Sequence, residues 1–188
     1  MRLFAAIVPP PAVIEDLGEF LGPRHEVTDG PRWSDADQWH VTLAFMGSAP
    51  ARVLEPLSET LASVVGRVAS GQLSLEGAVA FPNPYAARVL AAGVADSPPG
   101  WLAGLARTVR SGCSAAGAGP GGGPFRAHLT LGRFGRPTEA TRWLRVLDTY
   151  SSAAFEVTEV VLFESHLGAG RRGRTRHDVV ATIPLAAP

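Results

Sequence analysis

The stretch Trp39-His40-Val41-Thr42-Leu43-Ala44-Phe45-Met46-Gly47, WHVTLAFMG, sets a histidine and a threonine two positions apart in an otherwise apolar run. A run of that length before a glycine turn signal reads as a strand, on which side chains i and i+2 share a face. His40 and Thr42 therefore project side by side, while Trp39, Val41 and Leu43 point the other way. The pattern returns in AHLTLGR, residues 127–133, with His128 and Thr130 on one face and Leu129 and Leu131 on the other. One histidine on a strand is most often a surface or hydrogen-bonded residue without chemical consequence. Two His-x-Thr pairs, both in apolar strands at equivalent places of the chain, ask for a shared role.

Outward from these strands, the two halves of the chain repeat one order of elements. RLFAAIV reads as a buried strand. PPPAVIEDLGEFLGP then reads as a helix opened by proline, with Val13, Leu17, Phe20 and Leu21 as its apolar stripe. After Gly47, ARVLEPLSETLASVVGRVA carries Leu54, Leu57, Leu61, Val64 and Val65 at helical spacing, and the strands QLSLEGAVAF and ARVLAAGVA follow around the turn PNPY. In the second half PPGWLAGLARTVRSGCSAAG is helical, AGPGGGP is a flexible loop, and FRAHLTLGRFG is the second motif strand. A helix TEATRWLRVLDTY, capped by Thr138, precedes the strands AFEVTEVVLFES and RHDVVATIPL. Each half reads helix, His-x-Thr strand, helix, strand pair, which suggests an old duplication.

At 188 residues and 46% hydrophobic content, the chain suffices for one sizeable domain or two small lobes sharing a core. The formal net charge is zero, so any recognition of anions must be local. All 17 basic residues are arginine, the better fork for phosphate oxygens. The single cysteine, Cys113, excludes an intrachain disulfide and a multi-cysteine zinc site. It stands where a helix runs into a glycine loop with no histidine near it, a poor setting for a nucleophile. The N-terminal apolar run is too short for a signal peptide and no segment reaches spanning length, so a soluble, cytoplasmic protein without a membrane partner is expected.

In-line displacement at phosphorus needs one group to take a proton from the attacking oxygen and another to give one to the departing oxygen on the opposite side. Histidine suits both roles because it titrates near neutrality. Threonine hydroxyls can donate to the non-bridging oxygens, where charge must be held. No carboxylate or third histidine is spaced to complete a metal shell, so no metal or cofactor is expected.

With RLFAAI at the start, RWSDADQWHVTLAFMG, FRAHLTLGR and a late ESHLGAGR, the chain resembles the two-histidine (2H) phosphoesterase superfamily. More narrowly it resembles the RNA 2′,3′-cyclic phosphodiesterases, formerly called 2′-5′ RNA ligases. The resemblance runs in order along nearly the whole chain. It implies a bilobal α+β fold over residues 1–188, a single domain of two intertwined lobes. Two pseudo-symmetric antiparallel sheets would face each other across a central cleft, with helices outside. It further implies that His40 gives a proton to the leaving 3′ oxygen and that His128 activates water, leaving a 2′-phosphate, while Thr42 and Thr130 hold the phosphate oxygens. The direction of proton transfer rests on the resemblance alone, since pseudo-symmetric histidines are interchangeable in sequence. The expected partner is an RNA or oligonucleotide end bearing a 2′,3′-cyclic phosphate, the expected state a monomer, and reverse 2′-5′ ligation a conceivable second activity.

Two further positions are candidates for binding substrate. Phe45, five residues past His40, is placed either to stack on a terminal base or to fill the core. Arg133, five past His128, faces away from it on a regular strand, unless a bulge at Gly132 re-aims it. His25, His166 and His177 have no comparable setting and read as structural or peripheral, the last two flanking a loop with Arg171, Arg172, Arg174 and Arg176. Relatives commonly carry an aromatic there. The run reads as a solvated loop or as a grip on substrate phosphates. Rival readings are a cyclic phosphodiesterase of small nucleotides such as ADP-ribose cyclic phosphate, and a binding module that keeps the cleft without turnover.

Overall fold

The structure is a computed structural model, and it describes residues 1–170 and 175–186. In chain order its elements are β1 (Leu3–Ile7), α1 (Pro11–Leu21), β2 (Arg32–Trp33), β3 (Val41–Met46), α2 (Leu54–Val65), β4 (Gly71–Phe81), β5 (Ala87–Ser97), α3 (Trp101–Ala115), β6 (His128–Thr138), α4 (Thr141–Leu147), β7 (Phe155–Val157), β8 (Glu159–His166) and β9 (Arg176–Pro184). The fold is α+β, as expected. The strands run in the order β7-β4-β5-β6-β3-β1-β8-β9, with β2 laid on β6, and their pairings are antiparallel.

The two expected sheets are halves of one curled sheet. They join where β3 meets β6, through the single pair Val41↔Leu129, and both side chains are fully buried. The halves also exchange strands. β3, from the first half of the chain, is flanked through β1 by β8 and β9 from the second, whereas β6 lies beside β5 and β4 from the first. The segments ahead of the two motif strands cross over as well. β2 pairs with β6, and Gly121, in the loop before β6, donates its N–H to the carbonyl of Phe45 on β3 at 2.8 Å.

Helices cover one face of this sheet because each has one apolar stripe. Val13, Leu17 and Leu21 of α1 and Leu57, Leu61 and Val65 of α2 are buried, each such side chain contributing about 1.5–3 kcal/mol. Helix α3 buries Leu102, Leu105, Val109 and Cys113. It approaches α2 closely at Gly112, where a Cβ would stand 3.1 Å from Leu61 Cδ2 and from Val64 Cγ2. On the other face of β1 and β8, a small separate cluster of Phe4, Ala6, Val161 and Phe163 is buried.

Two local expectations are corrected. Thr138 does not cap α4. It ends β6 and its hydroxyl donates to the Arg136 carbonyl at 3.0 Å, while Glu139 Oε1 accepts from the Thr141 N–H at 2.9 Å, so the carboxylate satisfies a free donor at the helix start. The run AFEVTEVVLFES is two strands. It breaks at Thr158 because β7 pairs with β4 in one half and β8 with β1 in the other.

Both motif strands carry a bulge at the same place. Ala5 pairs with Ala44 and Ala6 with Thr42, leaving Leu43 without a partner on β1. Leu90 pairs with Gly132 and Ala91 with Thr130, leaving Leu131 without one on β5. One extra residue reverses the alternation of faces. Phe45 thus joins the face of Thr42, and Arg133 joins the face of Thr130.

Candidate active site

The pair Val41↔Leu129 runs antiparallel, so residue 40 falls level with 130 and residue 42 with 128. Val41 and Leu129 turn into the core, and their neighbours turn the other way. His40, Thr42, His128 and Thr130 consequently line one cavity of about 550 Å³. Phe45 and Arg133 line it too, turned there by the two bulges, and so do Arg2, Arg32, Gln38 and His177. Asp35 is the one carboxylate among the described lining residues.

Each histidine is fixed by the backbone two residues before it. His40 Nδ1 lies 2.7 Å from the Gln38 carbonyl oxygen, and His128 Nδ1 lies 2.8 Å from that of Arg126. A carbonyl only accepts, so in both rings Nδ1 carries the hydrogen and Nε2 is left to exchange protons with a substrate. Each ring also has a phenylalanine beside it: Phe4 at 4.7 Å from His40, Phe81 at 4.8 Å from His128.

Beyond this the surroundings diverge. His40 additionally has Phe163 at 6.1 Å and the edge of His177 at 5.4 Å. Burial first, then the charges of His177, His128 and Arg133, push its pKa down to about 4 against the opposing carbonyl contact. His40 is therefore neutral at neutral pH.

His177, read as peripheral, stands in the cleft wall. It touches the Phe4 ring edge-on at 4.7 Å, and its backbone N–H donates to Gln38 Oε1 at 3.1 Å. Its Nδ1 is buried with no hydrogen-bond partner among the described residues, and burial lowers its pKa. Gln38 thus holds both histidines, one by its carbonyl and the other by its side chain. Neither Gln38 nor His177 announces this in sequence, because the contact spans 139 positions and depends on the far strand β9.

The remaining sequence candidates separate cleanly. Phe45 is exposed at the cavity, with the Arg2 guanidinium 5.1 Å from its ring centre, and is not a core residue. Cys113 is fully buried, which raises its pKa to about 11 and leaves an inert thiol. His25 packs on Trp33 at 5.2 Å. His166 lies 3.4 Å from Asp178 and 3.7 Å from Glu164. Arg176 is exposed and paired with Asp178 at 2.8 Å, whereas Arg171, Arg172 and Arg174 lie outside the described residues. Among the described residues, no three His, Cys, Asp or Glu side chains gather into a metal-binding set, and no helix is long and apolar enough to cross a membrane.

Residues 9–169 match the model of the 2′-5′ RNA ligase superfamily. The chain belongs to that family. Similar members include the RNA 2′,3′-cyclic phosphodiesterase of Archaeoglobus fulgidus, 31% identical over 85% of this chain and 86% of that protein. The enzyme of the same name from Escherichia coli K12 is 29% identical over 94% and 92%. A third, from Geobacillus stearothermophilus, is 30% identical over 81% of this chain, which spans 47% of that relative's length. Among solved structures, one from Thermus thermophilus superposes with a TM-score of 0.80 at 26% identity, covering 100% of this chain and 99% of that one. Escherichia coli LigT complexed with 3′-AMP superposes with a TM-score of 0.77 at 29% identity, covering 98% and 97%. Superfamily membership agrees with the resemblance carried by the paired His-x-Thr motifs.

Proposed function

We propose that this protein hydrolyses 2′,3′-cyclic phosphate ends of RNA or oligonucleotides to 2′-phosphates by acid and base catalysis without a metal. The observation that carries the reading is the meeting of both His-x-Thr pairs in one cavity around Val41↔Leu129. The names of the similar proteins, RNA 2′,3′-cyclic phosphodiesterase, support the substrate class.

In this scheme His128 Nε2 takes a proton from water as its oxygen bonds to phosphorus. The bond from phosphorus to the 3′ oxygen breaks, and His40 Nε2 gives that oxygen its proton. Thr42 and Thr130 donate to the non-bridging oxygens, and Phe45 offers a face to the terminal base. His40 must hold a proton at that moment although it is neutral at rest. The anionic phosphate supplies the reason, because a negative charge beside an imidazole raises its pKa. With a 5′ hydroxyl in place of water, the same groups would form a 2′-5′ linkage. One chain supplies both histidines, so a monomer suffices, and a cytoplasmic location fits an RNA substrate.

The test is incubation of an oligonucleotide ending in a 2′,3′-cyclic phosphate with the protein in EDTA, followed by location of the product's phosphate. A 2′-phosphate is expected. A 3′-phosphate would reverse the scheme, absence of turnover would leave a binding module, and loss of activity on adding EDTA would point to a metal.

A further inference from the structure

Arg32 and Arg133 are directly opposite each other in the antiparallel pairing of β2 with β6. Like charges at such positions repel, and a structure that brings them together needs a reason. The approach is built in rather than incidental. Trp33 pairs with Gly132, where a Cβ would stand 3.0 Å from the Arg32 carbonyl oxygen and 3.0 Å from Pro31 Cβ, so the strands meet only over a glycine. The Ser34 N–H donates to the Leu131 carbonyl at 2.8 Å and extends the seam. The bulge at Leu131 turns Arg133 onto the cleft face, and both arginines line the cavity. Among the described residues neither guanidinium has a hydrogen-bond or ion-pair partner. At the matching place on the other motif strand, Phe45 is opposite Phe4, and the crossing segment contributes Gly121.

Two unpartnered forks side by side are suited to the two free oxygens of a phosphodiester. We propose that Arg32 and Arg133 bind a second phosphate of the substrate, the internucleotide phosphate next to the cyclic one. The cleft then prefers an oligonucleotide end to a mononucleoside 2′,3′-cyclic phosphate. This rests on the cyclic phosphodiesterase reading and adds its substrate length. Arg133 and Arg32 line the same cavity as His40 and His128, so one ligand can reach the histidines and both arginines.

The experiment compares kcat/KM for a dinucleotide ending in a 2′,3′-cyclic phosphate with that for the mononucleoside 2′,3′-cyclic phosphate. It uses the wild type, Arg32→Gln, Arg32→Lys and Arg133→Gln. The wild type is expected to favour the dinucleotide at least about tenfold, and either glutamine variant to lose most of that preference. The slope of log kcat/KM for the dinucleotide against log salt should fall by about 0.7 in Arg32→Gln, one single-strand phosphate contact. Arg32→Lys should keep that slope but lose part of the preference, because charge remains and the fork does not. Equal losses on both substrates would assign the arginines to the reacting phosphate, and a wild type indifferent to length would leave no second site. Either result overturns this inference while cyclic phosphodiesterase activity stands. A wild type inactive on both substrates overturns the activity, and the inference with it.

Discussion

The two motif strands carry one design in two settings. Each has a histidine held through Nδ1 by a carbonyl two residues back, a phenylalanine beside the ring, a threonine two positions on and a bulge at the following leucine. His40 is then closed in by Phe163 and His177, while the carbonyl contact of His128 is exposed. Past the bulges the strands diverge again, with paired aromatics Phe4 and Phe45 on one and paired arginines Arg32 and Arg133 on the other. Shared geometry leaves the same ring nitrogen of each histidine free of its backbone carbonyl, and the surroundings of the two rings differ. One wall presents aromatic rings to the cavity and the other guanidinium groups, the difference on which the proposed base and phosphate contacts rest.

The strongest way to break this comparison is to delete the shared part. His40→Ala and His128→Ala should each lower kcat on a cyclic-phosphate end by at least about a hundredfold, since each removes a proton-transfer partner. A single variant with near-normal turnover would mean that the two histidines do not act together. Thr42→Val and Thr130→Val keep shape and branching but lose the hydroxyl. Each should cost roughly ten- to a thousandfold in kcat with the fold intact by circular dichroism. Unchanged rates would make the threonines structural.

The unequal part can be tested without substrate. Between pH 6.5 and about 4 the unfolded chain protonates this histidine while the folded chain keeps His40 neutral. The unfolded state binds more protons across that window, so stability falls as pH drops through it and this contribution levels off below it. The loss is at most about 3 kcal/mol. Urea unfolding at pH 7 and pH 4 should show a larger acid loss in the wild type than in His40→Gln. Equal losses would mean that His40 is not desolvated. The smallest effect concerns the wall itself. His177→Ala removes burial and a neighbouring charge, both of which lower the His40 pKa, so the acidic limb of kcat/KM should move up from about 4 toward 6.5. The limb belongs to the coupled pair rather than to one ring. A limb that stays in place would put His177 outside the proton chemistry.

Much of this is legible in sequence, and what is not follows from pairing. Strand alternation alone groups His40 with Thr42 and His128 with Thr130, and the apolar stripes place α1, α2 and α3. Alternation also sets Phe45 and Arg133 on the wrong face. Gly132 hints at the bulge beside Arg133, but nothing in Leu43-Ala44-Phe45 marks the equivalent one, which exists only as a register between strands. The same limit hides Arg32, whose significance lies in a cross-strand neighbour 101 positions away, and His177, which reaches the cleft only because β9 lies beside β8 and β8 beside β1. Thr138 looks like a cap because threonine often is one, yet β6 runs on through it.

The strand exchange between halves also fixes when each strand's neighbours become available during synthesis. β1 and β3 emerge early, but β1 lacks its outer neighbour until β8 has been made, and the His177 wall arrives later still on β9. β5 and β4, beside which β6 lies, both precede it in the chain. Because non-local pairings must wait for their partners, the His128 side of the cleft can close while the His40 side is still an open edge. Of the two motif histidines, the one translated first is thus the last to have all its ring neighbours synthesised, because His177 lies on β9.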